Sequence, residues 1–148
     1  MRSGLVRRAR HERGAALLEM ALTLPLLLLV CVGILEFGRA YQTWQVLTNA
    51  AREGARVAVL PGTTQSDVTA RVRQYMTSGQ LPNAATATVA IDGSQTVSIG
   101  AGTASASQVT VTYPFDFIVL DPIARLATGR GTGTSLNMVA QATMRNEM

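Results

Sequence analysis

GAALLEMALTLPLLLLVCVGIL, residues 14–35, decides how this chain is built. From Ala15 to Leu35 the run is about 21 residues, the length a helix needs to cross a bilayer, and only Glu19, Thr23 and Pro25 interrupt it. Arg2, Arg7, Arg8, Arg10 and Arg13 precede it with Glu12 alone opposing them, whereas only Arg39 against Glu36 follows closely. The positive-inside rule then places the N-terminus in the cytoplasm and the remainder outside. A plain secretory signal would share the charged start and the small residues Gly38 and Ala40. Its apolar region is usually shorter, roughly 7 to 15 residues, and a carboxylate such as Glu19 is costly in lipid without a purpose.

The basic residues are all Arg, and their placement matters more than their number. Residues 1–14 carry the net charge of +4 by themselves, because from Ala15 onward eight Arg face eight acidic residues. The basic character therefore belongs to a leader and says little about what the rest of the chain binds. Cys31 is the one cysteine and lies in the apolar run, so no intrachain disulfide can form. His11 is the one histidine and lies in the basic head. A product beginning at Ala15 would have no imidazole and no lysine, an inventory that argues against most enzymes, and no cofactor is expected. No His, Cys or carboxylate spacing suits a metal. Asp116 and Asp121 form the one close carboxylate pair of the C-terminal half, and turn and cap roles account for both.

Beyond the span the helical pattern continues. Ile34, Phe37, Tyr41, Trp44, Thr48, Ala51, Ala55 and Ala58 recur at spacings of three and four and predict one helix face, bulky at first and small toward Ala51, Gly54 and Ala55. Small residues there suit close approach to a sheet or another backbone. Pro61 and Gly62 stop the helix near residue 59, giving a spine on the order of 65 Å from Ala15. A shorter helix is expected over Ser66–Met76, capped at Ser66, with Val68, Val72, Tyr75 and Met76 on one side. The period then changes. Ala85–Ile91 and Thr96–Ile99 read as a hairpin turning at Asp92 and Gly93, Gly100–Ser107 as a loop, and Gln108–Tyr113 as a strand with Val109, Val111 and Tyr113 on one face, ended or edged by Pro114. Asp121 and Pro122 open a short helix through Leu126, Thr128–Thr134 reads as a flexible loop, and Leu136–Met144 as a last strand. Three or four antiparallel strands against the spine are expected, an α+β architecture.

Gly14-Ala15-Ala16-Leu17-Leu18-Glu19 sets a glycine at the border of a basic head and an apolar helix, with a carboxylate five residues on. Here the sequence resembles a prepilin. That resemblance implies cleavage by a prepilin peptidase between Gly14 and Ala15, with Glu19 as the fifth residue of the product and an assembly carboxylate meeting the new α-amino group of a neighbouring subunit. An oppositely charged pair in low dielectric would favour one axial offset over others. Ala15 stands where Phe or Met is commoner in pilins, and Pro25 should bend the span.

Glu36-Phe37-Gly38-Arg39 and Asn49-Ala50-Ala51-Arg52-Glu53-Gly54-Ala55-Arg56 resemble the signature of the TadE-like minor pseudopilins of the tight-adherence (Flp) pilus. The likeness covers about Gly14 to Ala58, while the strand-rich remainder matches only in general character. It implies a pilin-like fold with a leader over 1–14, a transmembrane helix over 15–35 and an extracytoplasmic α+β domain over 36–148, in a bacterial inner membrane. It also implies the usual partners: a prepilin peptidase, a companion pseudopilin, the major Flp pilin and the inner-membrane assembly platform, with membrane lipid around the span and roles in adhesion and biofilm formation. Glu36, Arg39, Arg52, Glu53 and Arg56 are the candidate partner contacts. No aromatic stacking platform accompanies Arg39, Arg52, Arg56, Arg71 and Arg73, which argues against a nucleic-acid partner. Two other readings stand beside this one: an uncleaved single-pass anchor presenting a binding domain, and a minor pseudopilin of a type II secretion system.

Overall fold

One helix, α1 (Ser3–Ala58), carries both halves of the molecule in a computed structural model that describes residues 3–100, 102–129 and 136–146. Its 56 residues make a rod of about 84 Å. The part from Gly14 contains a window long and apolar enough to cross a membrane, with none of that window buried by the rest of the chain. The helix continues through Pro25 and ends at Ala58, where Pro61 and Gly62 (φ +82°) turn the chain.

A second helix, α2 (Gln65–Ser78), is longer than expected and is capped two residues earlier, by Thr64. The Thr64 hydroxyl accepts the Asp67 N–H while the Asp67 carboxylate accepts the Thr64 N–H, a reciprocal box in which Ser66 is not the cap. Val68, Val72 and Met76 are buried on its inner face, whereas Tyr75 turns outward. After a short 3-10 turn (Ala84–Thr86) come β1 (Thr88–Ile99), β2 (Gly102–Phe115), a helix α3 (Leu120–Thr128) and β3 (Leu136–Arg145). The three strands form one antiparallel sheet in the order β1-β2-β3. Of the loop expected over 128–134, Thr128 closes α3 and Gly129 follows it, and residues 130–134 lie outside the described residues.

The expected hairpin at Asp92–Gly93 is instead a bulge within one long strand. Pairing with β2 runs unbroken from Thr88 to Asp92 and resumes at Gln95. The Asp92 carboxylate accepts the Ser94 N–H at 2.9 Å and the Gln95 amide at 2.6 Å, so the local turn chemistry is satisfied without reversing the chain. The reversal comes at Gly100 (φ +58°), and the stretch expected as a loop up to Ser107 is the first half of β2. Ala and Ser have little intrinsic strand preference. Here pairing and burial override it: Ala106 is fully buried, and the Ser107 hydroxyl donates to Asn146 Oδ1 at 2.8 Å. Pro114 lies past the last β1 partner of β2, Thr112, where β2 has a neighbour on one side only and the missing N–H costs little.

Val109, Val111, Tyr113 and Phe115 alternate inward from β2 and meet Leu47, Ala50, Ala51 and Ala55 of α1 and Val68, Val72 and Met76 of α2 in the core. At Gly54 an added Cβ would stand 2.6 Å from Val72 Cγ2 and 3.2 Å from Val109 Cγ1, so the absence of a side chain is what lets three elements converge. The bulky start of the expected stripe does not share in this: Ile34, Phe37, Tyr41 and Trp44 are exposed, and the buried face begins instead with Glu36, Thr43 and Leu47. A pattern repeating every seven residues drifts by about 20° per heptad around a straight helix. The stripe therefore reaches the sheet only at Ala51 and Ala55.

Candidate functional site

The first segment of interest, Gly14 to Glu19, lies wholly inside α1 and is exposed. A Cβ at Gly14 would meet nothing within 4 Å, so neither packing nor backbone conformation calls for glycine there, and glycine costs a helix about 1 kcal/mol relative to alanine. Gly33 and Gly38 are equally open. Gly14 differs from them in marking the edge of the basic head. Glu19 is about 6 Å along the helix from Ala15, and among the described residues its carboxylate has no partner.

The second segment lies where α1 leaves the apolar run. Glu36, the first residue past it, is 4 % exposed, and its carboxylate is used within the chain. Oε1 accepts the backbone N–H groups of Ile118 at 2.9 Å and Val119 at 2.8 Å, while Oε2 accepts Arg39 Nη2 at 2.8 Å. The same Arg39 nitrogen donates to the Asp116 carbonyl, and the guanidinium stands 4.5 Å over the Phe115 ring. Phe115 in turn meets Phe117 edge-on at 5.3 Å. Two residues of α1 thus hold the whole segment from Phe115 to Val119, and Glu36 places a negative charge at the start of α3, where the helix dipole favours it. Burial alone would push the Glu36 carboxyl up, but Arg39 and the two N–H groups outweigh it and hold it below the ordinary value.

The third segment is a hub on the far half of α1. Glu53 binds Arg56 at 2.7 and 2.9 Å and, across the helix pair, Arg71 of α2 at 2.8 and 2.9 Å. Hydrogen bonds from Arg56 first and Arg71 second bring its carboxyl down to about 2, against a smaller opposing effect of burial. Arg52 and Arg56 are exposed, and Arg52 reaches only Asn49, at 3.5 Å. Of the expected contact residues, then, Glu36 and Arg39 converge on one cluster, Glu53 and Arg56 on a second, and Arg52 stands outside both. Asp121, in the first turn of α3, pairs with Arg125 at 2.7 Å. Among the described residues no three His, Cys or carboxylate side chains gather as a metal would need.

Phe115, the Asp116 carbonyl, the Ile118 and Val119 amides and Arg71 were not foreseen. Main-chain groups leave no trace in residue types, and no local spacing ties Arg71 to Glu53 eighteen positions before it. All of the expected site residues fall within the stretch that comparison singles out: residues 14–56 match the family described as TadE-like protein. No curated protein and no solved structure matches the chain. The match begins at Gly14 and ends at Arg56, so the likeness to TadE-like proteins covers under a third of the chain and encloses the apolar run and both charged clusters of α1.

Proposed function

We propose that this protein is a minor pseudopilin of a tight-adherence pilus, made as a prepilin, cut between Gly14 and Ala15, and held by residues 15–35 as a single-pass anchor. Likeness to the TadE-like family over residues 14–56 supports association with other components of that pilus, and the long apolar N-terminal helix suggests the anchor. The observation that carries the proposal is the coincidence of the 14–56 match with one uninterrupted helix that leaves the apolar run and enters the core of an α+β domain. The N-terminus faces the cytoplasm and the domain lies outside the inner membrane. Prepilin peptidase, a companion pseudopilin, the major Flp pilin and the assembly platform are the partners, and the work is assembly in support of adhesion and biofilm formation, without catalysis by this chain. Arg52 and Arg56 offer the outward contacts, Glu53 orients Arg56, and Glu36 with Arg39 act by holding the segment from Phe115 to Val119.

One observation favours the uncleaved anchor instead: Gly14 and Ala15 lie in continuous helix, which has to open before a peptidase can reach the bond. Intact mass and N-terminal sequencing of membrane-bound product, made with and without a prepilin peptidase, separate the two. The expected result is loss of residues 1–14 only when the peptidase is present, and abolition of that loss in Gly14→Leu, which the open site accommodates. Full-length chain in both preparations refutes processing. Glu19→Ala should still be cut and inserted yet fail to enter the assembled complex, and normal assembly of that variant removes Glu19 from the mechanism.

A further inference from the structure

The helix α3 carries an apolar face that nothing among the described residues covers. Ile118 is 65 % exposed, Leu126 90 %, and Val119 and Ile123 39 % each. Val119, Ile123 and Leu126 recur at spacings of four and three, one side of a helix, while Asp121 and Arg125 pair with each other at the other side. The contacts of α3 with other elements are chiefly with α1, and none of these four apolar residues belongs to the core. A surface chain that stays in water has little use for such a row.

Its height along α1 indicates what covers it. Through Glu36 the amides of Ile118 and Val119 are tied within 3 Å of a side chain one residue past the apolar run. Val32 and Leu35, the last turn of that run, line one open groove together with Ile118 and Val119. On a different side of α1, at about 100° per residue, Phe37, Tyr41 and Trp44 are also exposed, from about 3 to 14 Å beyond Leu35. The polar boundary of a bilayer is roughly 5 to 7 Å thick on each side, so Phe37 falls within it and Tyr41 and Trp44 beyond it, while the amides of Ile118 and Val119 are tied to Glu36 at its inner edge.

We propose that α3 is a second membrane contact, an amphipathic helix lying in the lipid boundary beside the point where α1 emerges, with Ile118, Val119, Ile123 and Leu126 toward the acyl chains. This rests on the reading of residues 15–35 as a membrane span, because the depth of α3 is set by its tie to Glu36. The occupant is lipid. Continuity with Val32 and Leu35 places the row against the same medium that surrounds the span, and the Arg125 head, 62 % exposed, can reach phosphates while its pair with Asp121 keeps the other face polar.

The test uses the full chain, one copy per lipid nanodisc, with a nitroxide label at Cys31 of the native chain or, in a Cys31→Ala background, at Leu126→Cys, Ile123→Cys or Ala70→Cys. Ala70 is exposed on α2, which packs near Gly54, about 28 Å along α1 from Leu35. Collision with lipid-soluble oxygen is compared with collision with a water-soluble nickel chelate. The oxygen-to-nickel ratio at positions 126 and 123 is expected several-fold above that at 70 and below that at 31. A ratio at 126 and 123 equal to that at 70, with 31 deep, overturns the proposal and leaves the span intact. A label at 31 as open to nickel as at 70 removes the span and the proposal with it. Shielding of 126 from both reagents means a protein covering and also overturns the lipid assignment.

Discussion

Replacing Glu36 by Gln keeps the shape of the side chain and one acceptor oxygen while removing its charge. In the native chain that carboxylate receives two backbone N–H groups at 2.8 and 2.9 Å and a guanidinium at 2.8 Å, in a position 4 % exposed. Hydrogen bonds to a charged group are worth about 1.5–3 kcal/mol each, roughly twice their neutral counterparts, so neutralising the acceptor weakens both backbone bonds by something near 1 kcal/mol apiece. The new amide also turns a donor toward Arg39, but that side chain is 34 % exposed and can turn to water, so this adds at most about 1 kcal/mol. A total of roughly 2 to 3 kcal/mol corresponds to about 30- to 150-fold in an opening equilibrium. Because the bonds hold only the segment into α3, the opening is local. Amide hydrogen exchange at Ile118 and Val119 should accelerate by about that factor in Glu36→Gln, with Val109 and Val111 unchanged. The native chain should show the same loosening in acid: the folded carboxyl sits below its ordinary value, so its contribution is complete above the unfolded value of 4.5 and disappears as pH falls through the lowered one. Unaltered protection at Ile118 and Val119, or equal loss across the sheet, refutes the clamp.

Gly54→Ala gains about 1 kcal/mol of helix propensity but drives a methyl to 2.6 Å from Val72, which is fully buried and stiff at its branch. Overpacking of this kind costs about 1–3 kcal/mol, so net destabilisation near 1 kcal/mol is expected in denaturant unfolding of the detergent-solubilised chain, and a stabilised variant would contradict the close approach of α1, α2 and β2. Glu53, brought down to about 2 by Arg56 and Arg71, stabilises the fold above pH 4.5 and ceases to as pH falls through 2. Its two partners are 58 % and 43 % exposed, which reduces the effect to about 1 kcal/mol; the difference between wild type and Glu53→Gln should shrink by that amount between those limits, and a difference independent of pH would exclude the pairing.

The helix that organises the molecule was legible because its cues are local: a long apolar run, then small residues at helical spacing, then Pro61 and Gly62. The inward face of β2 was legible for a similar reason, since Val109, Val111 and Tyr113 alternate. What failed were places where a local cue was overruled at a distance. Asp92-Gly93 has the chemistry of a reversal, yet pairing on both sides of it makes a bulge. Ala104 to Ser107 lacks strand character and is a strand because β1 pairs with Ala104 to Ala106 and β3 with Ala106 and Ser107. Phe37, Tyr41 and Trp44, the bulky part of the expected face where the helix leaves the apolar run, are exposed, and the buried face is entered instead at Thr43 and Leu47, because helical phase alone does not say where a sheet lies. At the site, the charged residues of α1 and the local pair of Glu53 with Arg56 could be picked out, and their distant partners could not. Those partners are main-chain groups near Asp116 and an arginine eighteen positions from Glu53.

The close seam between α1 and its cover, built from Ala50, Ala51, Gly54 and Ala55 under Val72 and Val109, has a mechanical side. Helix and domain share a rod with no joint between them, so any pull along its apolar end reaches the domain as shear spread over several turns. A peel, breaking one contact at a time, has nowhere to start. Large side chains at that seam would have put longer levers between the backbones and softened the coupling. With methyl groups and one bare Cα in their place, the domain follows the rod's axial movement almost without slack.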